Sequence, residues 1–175
     1  MRKILCVIDM QNDFITGSLG TKEAVAILPK AKELILSYPD YNIFATRDSH
    51  DFDKYLDTQE GKLLPVKHCI KNTWGEKIED SIQVALRKAQ VFDKPTFASL
   101  KLLDHLRQIS HKEEIEVTFI GLCTDICVIS NALLLKAYLP EVPIKVKADC
   151  CAGSTPERHK AALETMKSCQ ILVED

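Results

Sequence analysis

Apolar residues along the chain follow two alternating rhythms. Short, nearly unbroken runs rich in Val and Ile stand at 3–9 (KILCVID), 41–46 (YNIFAT), 89–94 (AQVFDK), 115–122 (IEVTFIGL), 143–148 (PIKVKA) and 170–173 (QILV). Between them apolar positions recur three and four residues apart, as at Val25, Leu28, Ala31, Leu34 and Ile35, and again at Leu100, Leu103, Leu106 and Ile109. The first rhythm predicts strands buried on both faces, the second amphipathic helices. A further helix spans 125–139, and a last one is capped by Ser154 or Thr155 with Pro156 in its first turn. Strands separated by helices predict a three-layer α/β fold, with a six-stranded, mainly parallel sheet and helices on both faces. The length of 175 residues, without repeat or linker, predicts one domain over 1–175.

Two segments depart from this regularity. Helix 125–139 carries formal charge only at Asp125 and Lys136. A helix apolar nearly all round must be covered on more than one side, which predicts a homo-oligomer, a dimer or tetramer. Region 48–81 has weak periodicity and many polar residues, and long irregular connections of this kind are commonly functional.

Composition excludes several classes. At 46% hydrophobic and 27% charged residues, the chain reads as an ordinary globular protein. Net charge is −2 with no basic block, which argues against a nucleic-acid partner. No apolar stretch approaches the roughly 18 residues of a membrane span, and the run after Met1 is too short for a secretion signal. Seven cysteines, an odd number, therefore read as reduced thiols in the cytoplasm.

Ligands of open parallel sheets bind at the carboxyl ends of the strands. Asp9 ends the first strand, Arg47-Asp48 the second with His50 just beyond, Lys94 the third, and the Cys123–Cys127 turn the fourth. Each has a bland alternative: a turn or cap Asp, a solvated Lys, a Cys that packs as a small hydrophobe. Together an acid, a base and a thiol at one sheet edge suggest chemistry. Cys127 falls in the first turn of helix 125–139, where the dipole and backbone N–H groups favour a thiolate and lower the thiol pKa. Cys123 and Cys127 lack the CxxC spacing of a redox pair, and no second Cys/His pair completes a zinc clip. Asp48-x-His50 places two ligands on one side of an extended segment, and His68 returns on the long loop to complete an open N/O metal site. Spacing alone does not choose a fourth ligand among Asp51, Asp53, Asp57 and Glu60. His105, His111 and His159 receive no role, and the other five cysteines pack.

Five segments in order, DMQNDFITGSL (9–19), TRDSH (46–50), LPVKHCIKNTWGEKI (64–78), KPTF (94–97) and GLCTDICV (121–128), resemble nicotinamidases among the isochorismatase-like cysteine hydrolases. The resemblance implies a Rossmann-like six-stranded parallel sheet and a triad of Asp9, Lys94 and Cys127. It implies a cis peptide at Leu122-Cys123, helping to aim the amides of Cys123 and Cys127 at an oxyanion. It also implies one divalent ion, zinc first, with iron or manganese as alternatives, on Asp48, His50 and His68 with Glu60. Phe14 matches a pocket-wall aromatic. Leu64 stands where many nicotinamidases have an aromatic residue before the proline, and Asn72 replaces a usual glycine, so the ring against a pyridine is missing unless Trp74 or Phe97 supplies it. The implied activity is hydrolysis of a small-molecule carboxamide, nicotinamide in NAD salvage, through a Cys thioester. Alternatives are an amidase acting on another small carboxamide or on a carbamoyl or ureido compound, and a non-catalytic or thiol-redox protein on the same fold.

Overall fold

All eight residues of IEVTFIGL are buried in the computed structural model, which describes residues 1–175. Such a run needs cover on both faces, and it is the fourth strand of one sheet. The strands are β1 (Arg2–Ile8), β2 (Ile43–Asp48), β3 (Gln90–Lys94), β4 (Ile115–Leu122), β5 (Ile144–Ala152) and β6 (Leu172–Glu174). Their order is β3-β2-β1-β4-β5-β6, and each neighbouring pair is parallel.

Parallel neighbours require crossovers, which carry α1 (Asn12–Ile15), α2 (Lys22–Ala26), α3 (Leu28–Ser37), α4 (Gln59–Leu63), α5 (Asp80–Leu86), α6 (Leu100–Ser110), α7 (Ile129–Tyr138) and α8 (Pro156–Ser168). Helix α3 packs on α5 and β5, while α7 packs between α6 and α8. Local chemistry sets the helix starts. Ser99 caps α6 by accepting from Leu102 N–H, and Thr155 caps α8 by accepting from Arg158 N–H, with Pro156 in the first turn. One contiguous apolar cluster joins the sheet to its helices. No helix is long and apolar enough to cross a membrane.

Several boundaries differ from the sequence reading. Strand β2 begins at Ile43, because Tyr41 and Asn42 form a 3₁₀ turn tied down by Arg2, whose Nε donates to Asn42 Oδ1 at 2.7 Å. Strand β5 runs on to Ala152, since Cys150, Cys151 and Ala152 are small and buried. Strand β6 begins at Leu172, as Gln170 has a φ of +63°. The segment read as helix 125–139 opens as a π turn over Thr124–Val128 before α7. Helices of four to seven residues within 12–15, 59–63 and 80–86 are too short for their periodicity to show.

The topology positions the site. The chain moves outward from β1 to β2 and β3, then crosses back to β4 beside β1, making the β1/β4 edge the point where strand order reverses. Gly121 lets these two strand ends meet closely. Its φ is +117°, and a Cβ there would lie 2.0 Å from the Ile8 carbonyl oxygen. Asp9 follows β1 and Cys127 follows β4, so this contact sets the acid against the thiol.

Candidate active site

Asp9 is fully buried with a φ of +48°. Thr46 Oγ1 donates to its Oδ1 at 2.7 Å, and Lys94 Nζ lies 2.6 Å from its Oδ2. Lys94, only 2% exposed, is not the solvated lysine that its position after a strand commonly implies. Its ammonium donates to Thr96 O at 2.9 Å and sits 3.5 Å from both Cys127 Sγ and Asp48 Oδ1. Burial alone would lower the Lys94 pKa, but Asp9, Cys127 and Asp48 outweigh it and hold the lysine charged. Burial raises the Asp9 carboxyl against the opposing pull of Lys94, making it a stronger base than an ordinary carboxylate.

The thiol environment corrects one expectation. Burial first, and then the charge of Asp9, push Cys127 well above an ordinary thiol, with Lys94 only partly offsetting them. The resting group is a thiol, not a thiolate formed by a helix dipole. The turn that carries it is firmly held. Ile126 and Val128 N–H both donate to Cys123 O, at 3.0 and 3.1 Å. Asn131 Nδ2 donates to Cys127 O at 2.8 Å and to Phe97 O at 3.1 Å, while its Oδ1 accepts from Ser99 N–H at 2.9 Å. Asp125 accepts from Ser154 N–H and Oγ, and Thr124 Oγ1 lies 2.8 Å from His159 Nδ1. The Leu122-Cys123 peptide is cis, as the resemblance implies.

Beside this group lies a second cluster. One ligand atom from each of Asp48, His50, Glu60 and His68 falls within 4.8 Å of all the others. His50 Nε2 is 2.9 Å and His68 Nε2 3.6 Å from Asp48 Oδ2, and Glu60 Oε1 is 3.5 Å from His68 Nε2. His68 Nδ1 lies 2.8 Å from Val66 O, which suits a protonated Nδ1 and leaves Nε2 facing the cluster. Burial would raise the Asp48 carboxyl, yet hydrogen bonds from His50 and His68 take it below the carboxylate range. Burial would lower His68, but hydrogen bonds to Asp48 and Glu60 push it up to about 10. Asp48 is fixed by Gln11, whose Oε1 accepts from Asp48 N–H at 2.7 Å and whose Nε2 donates to Asp48 O at 2.8 Å.

A cavity of about 410 Å³ opens onto both clusters, reaching Cys127, Asp48, His68 and Glu60. Phe14, Leu64 and Phe97 line it, and so does the half-buried Cys123. Trp74 does not line it. The Trp74 carbonyl is held by Asn12 Nδ2 and Lys77 N–H, and the residue is 56% exposed, outside the cavity. Asn72 has a φ of +65°, a left-handed geometry that Asn tolerates in place of glycine.

Sequence reasoning missed Gln11, Thr46, Asn131 and His159. The first two partners lie 37 positions from what they bind, and no local pattern marks such a contact.

The Isochorismatase domain family matches residues 3–175 of this sequence. The chain belongs to the isochorismatase family. Within it, the chain is 31% identical over 180 residues to the nicotinamidase of Saccharomyces cerevisiae, covering 75% of this chain and 80% of that protein. The crystal structure of a nicotinamidase/pyrazinamidase from Bacillus subtilis superposes with a TM-score of 0.81 at 26% identity, covering 100% of both chains. A pyrazinamidase of Pyrococcus horikoshii, solved in complex with zinc, gives 0.78 at 27% identity over 99% of this chain and 98% of that one. Among family members this chain is thus nicotinamidase-like.

Proposed function

We propose that this amide-hydrolysing enzyme converts nicotinamide and water to nicotinate and ammonia through a thioester on Cys127. The observation that carries the reading is the buried contact of Asp9 and Lys94 with Cys127, which lines a cavity that also reaches a four-ligand cluster. Asp9 accepts the Cys127 proton as Sγ attacks the carboxamide carbon. The carbonyl oxygen gains charge facing the amides of Cys123 and Cys127, and each such donor contributes on the order of 10²–10³ in rate. As the C–N bond breaks, Asp9 returns the proton to the leaving nitrogen, and ammonia departs. Water, giving a proton to Asp9, then cleaves the thioester; the acid leaves and the thiol re-forms. Lys94 stabilises the charged forms of Asp9 and Cys127 throughout.

The second cluster fits a divalent ion. His50 Nε2 and His68 Nε2 both face Asp48 Oδ2, at 2.9 and 3.6 Å, so two carboxylates and two imidazoles converge within 4.8 Å of one another. This mixed oxygen and nitrogen set suits zinc. Asp48, His50, His68 and Glu60 would hold it, and when bound it would orient a ring nitrogen or a water against the carbonyl. Phe14 stacks obliquely on His68, with ring centroids 5.5 Å apart, which suits an aromatic substrate beside the cluster.

A second reading is favoured by Leu64, an aliphatic wall where a pyridine would prefer an aromatic one. It makes a ureido or aliphatic carboxamide the better substrate. Ammonia release from nicotinamide, pyrazinamide, aliphatic amides and carbamoyl compounds decides between them. Turnover of nicotinamide at least tenfold above the others supports the first reading. Its absence alongside turnover of the others rejects nicotinamide and leaves the amidase standing.

We further propose that residues 1–175 act as one domain in the cytoplasm, with all seven cysteines free, and that copies self-associate. Ile126, Ile129, Leu133 and Leu134 are only partly buried along the π turn and α7. Light scattering at micromolar concentration that returns a monomer mass contradicts self-association.

A further inference from the structure

The floor of the cavity is accounted for by the chemistry above, but one side of its rim is not. Arg158, in the first turn of α8, lines the same cavity as Cys127 and His68. It is exposed and has no carboxylate within ion-pair distance. Its side chain makes one long hydrogen bond, from Nη1 to Ser154 Oγ at 3.4 Å. Asp125, reached through that serine, has both oxygens occupied by Ser154 N–H and Oγ at 2.7 and 2.6 Å. The guanidinium fork is therefore left without an acid of its own, at the mouth of a site read as binding a neutral amide. Thr21 also lines the cavity; its Oγ1 accepts from Ala24 N–H, leaving the hydroxyl proton to donate.

Size points the same way. The cavity of about 410 Å³ has room for roughly a dozen waters at about 30 Å³ each, more than a one-ring carboxamide displaces. A planar guanidinium with free parallel N–H groups matches the geometry of a carboxylate. We propose that Arg158 binds a carboxylate carried by the substrate, so that the site takes carboxamides with an anionic tail, such as monoamides of dicarboxylic acids. The inference rests on the amidase reading of the Cys127 site and adds a substrate class to it. The amide end meets Cys127, the carboxylate stays at the rim with Arg158, and the reaction is the same hydrolysis, releasing ammonia and a dicarboxylate.

Matched substrates test it: succinamate and glutaramate against their uncharged counterparts butyramide and valeramide. Ammonia release is measured for wild type, Arg158→Gln and Arg158→Lys. The ratio of kcat/KM for charged over uncharged amide should fall about tenfold or more in Arg158→Gln, mainly through KM, and be partly kept in Arg158→Lys. Calorimetric binding of glutaramate to Cys127→Ala, with and without Arg158→Gln, reads recognition without turnover and should weaken by a similar factor. An unchanged ratio, an equal Kd in the two proteins, or no binding of glutaramate to Cys127→Ala overturns the proposal. If no amide is hydrolysed, the amidase reading fails, and the binding measurement still decides the role of Arg158.

Discussion

Replacing Lys94 with Met removes the one cation that touches Asp9, Asp48 and Cys127 together. Met keeps the length of the stem but leaves Asp9 buried at 0% exposure, with only the Thr46 hydroxyl and the neutral Cys127 thiol on its carboxylate. Breaking a buried pair from one side costs about 3–5 kcal/mol, because the remaining charge loses its partner in a poorly solvating place. At about 2–4 °C per kcal/mol for a chain of this size, the melting temperature should fall by about 6–20 °C. Replacing both members, Asp9→Asn with Lys94→Met, removes the pair and leaves no orphan at Asp9. The double variant should recover part of the loss, with a coupling energy of about 2–3 kcal/mol in a double-mutant cycle. The assay is urea unfolding of all four proteins, with chelator and with excess zinc, since Asp48 also faces Lys94 at 3.5 Å. If Lys94→Met unfolds within about 1 kcal/mol of wild type, or the two losses simply add, the pair is not the buried, mutually dependent unit described here.

Other consequences follow from single contacts. Gly121→Ala places a Cβ against the Ile8 carbonyl at a φ of +117° and should cost about 3 kcal/mol or more, read by chemical denaturation; a loss below about 1 kcal/mol would contradict the close approach of β1 and β4. Asn131→Ala strips partners from Ser99 N–H, Cys127 O and Phe97 O, so stability should drop by about 3 kcal/mol and kcat should fall more than KM rises. His68 is pushed up to about 10 in the metal-free site, so it holds a proton at pH 7. A metal needs the neutral ring, so binding should release about one proton near pH 7 and tighten as pH rises. Calorimetry in buffers of different ionisation heat measures this, and affinity independent of pH between 6 and 8 would contradict it.

Much of the fold is legible in the sequence because parallel strands covered on both faces leave continuous apolar runs. IEVTFIGL and KILCVID are visible for that reason, and the residues that end them, Asp9 and the Cys123–Cys127 turn, fall automatically on one sheet edge. Strand order is not written in this way, since each run would look the same at any central place in the sheet. The π turn is hidden because its apolar positions fit a 3.6-residue period equally well; what sets it apart is the Val128 N–H to Cys123 O bond, a backbone event. The residues of the proposed metal cluster are legible as types and spacings, whereas Gln11, which grips Asp48 by both backbone groups, has no local mark. Trp74 shows the opposite error: its residue type suited a pocket, but its backbone is anchored by Asn12 and Lys77 with the residue largely in solvent. The raised thiol of Cys127 is likewise a property of depth and of Asp9, neither of which a position near a helix start reveals.

The central claim is that the Cys127 sulfur forms the bond to the carboxamide carbon. The most direct measurement is steady-state ammonia release from nicotinamide, or the best amide of the panel, by wild type and by Cys127→Ala. Both proteins should show the same circular dichroism and the same metal content. The account predicts turnover by wild type and only the uncatalysed background with Cys127→Ala. Turnover that survives in the folded, metal-loaded variant would contradict it.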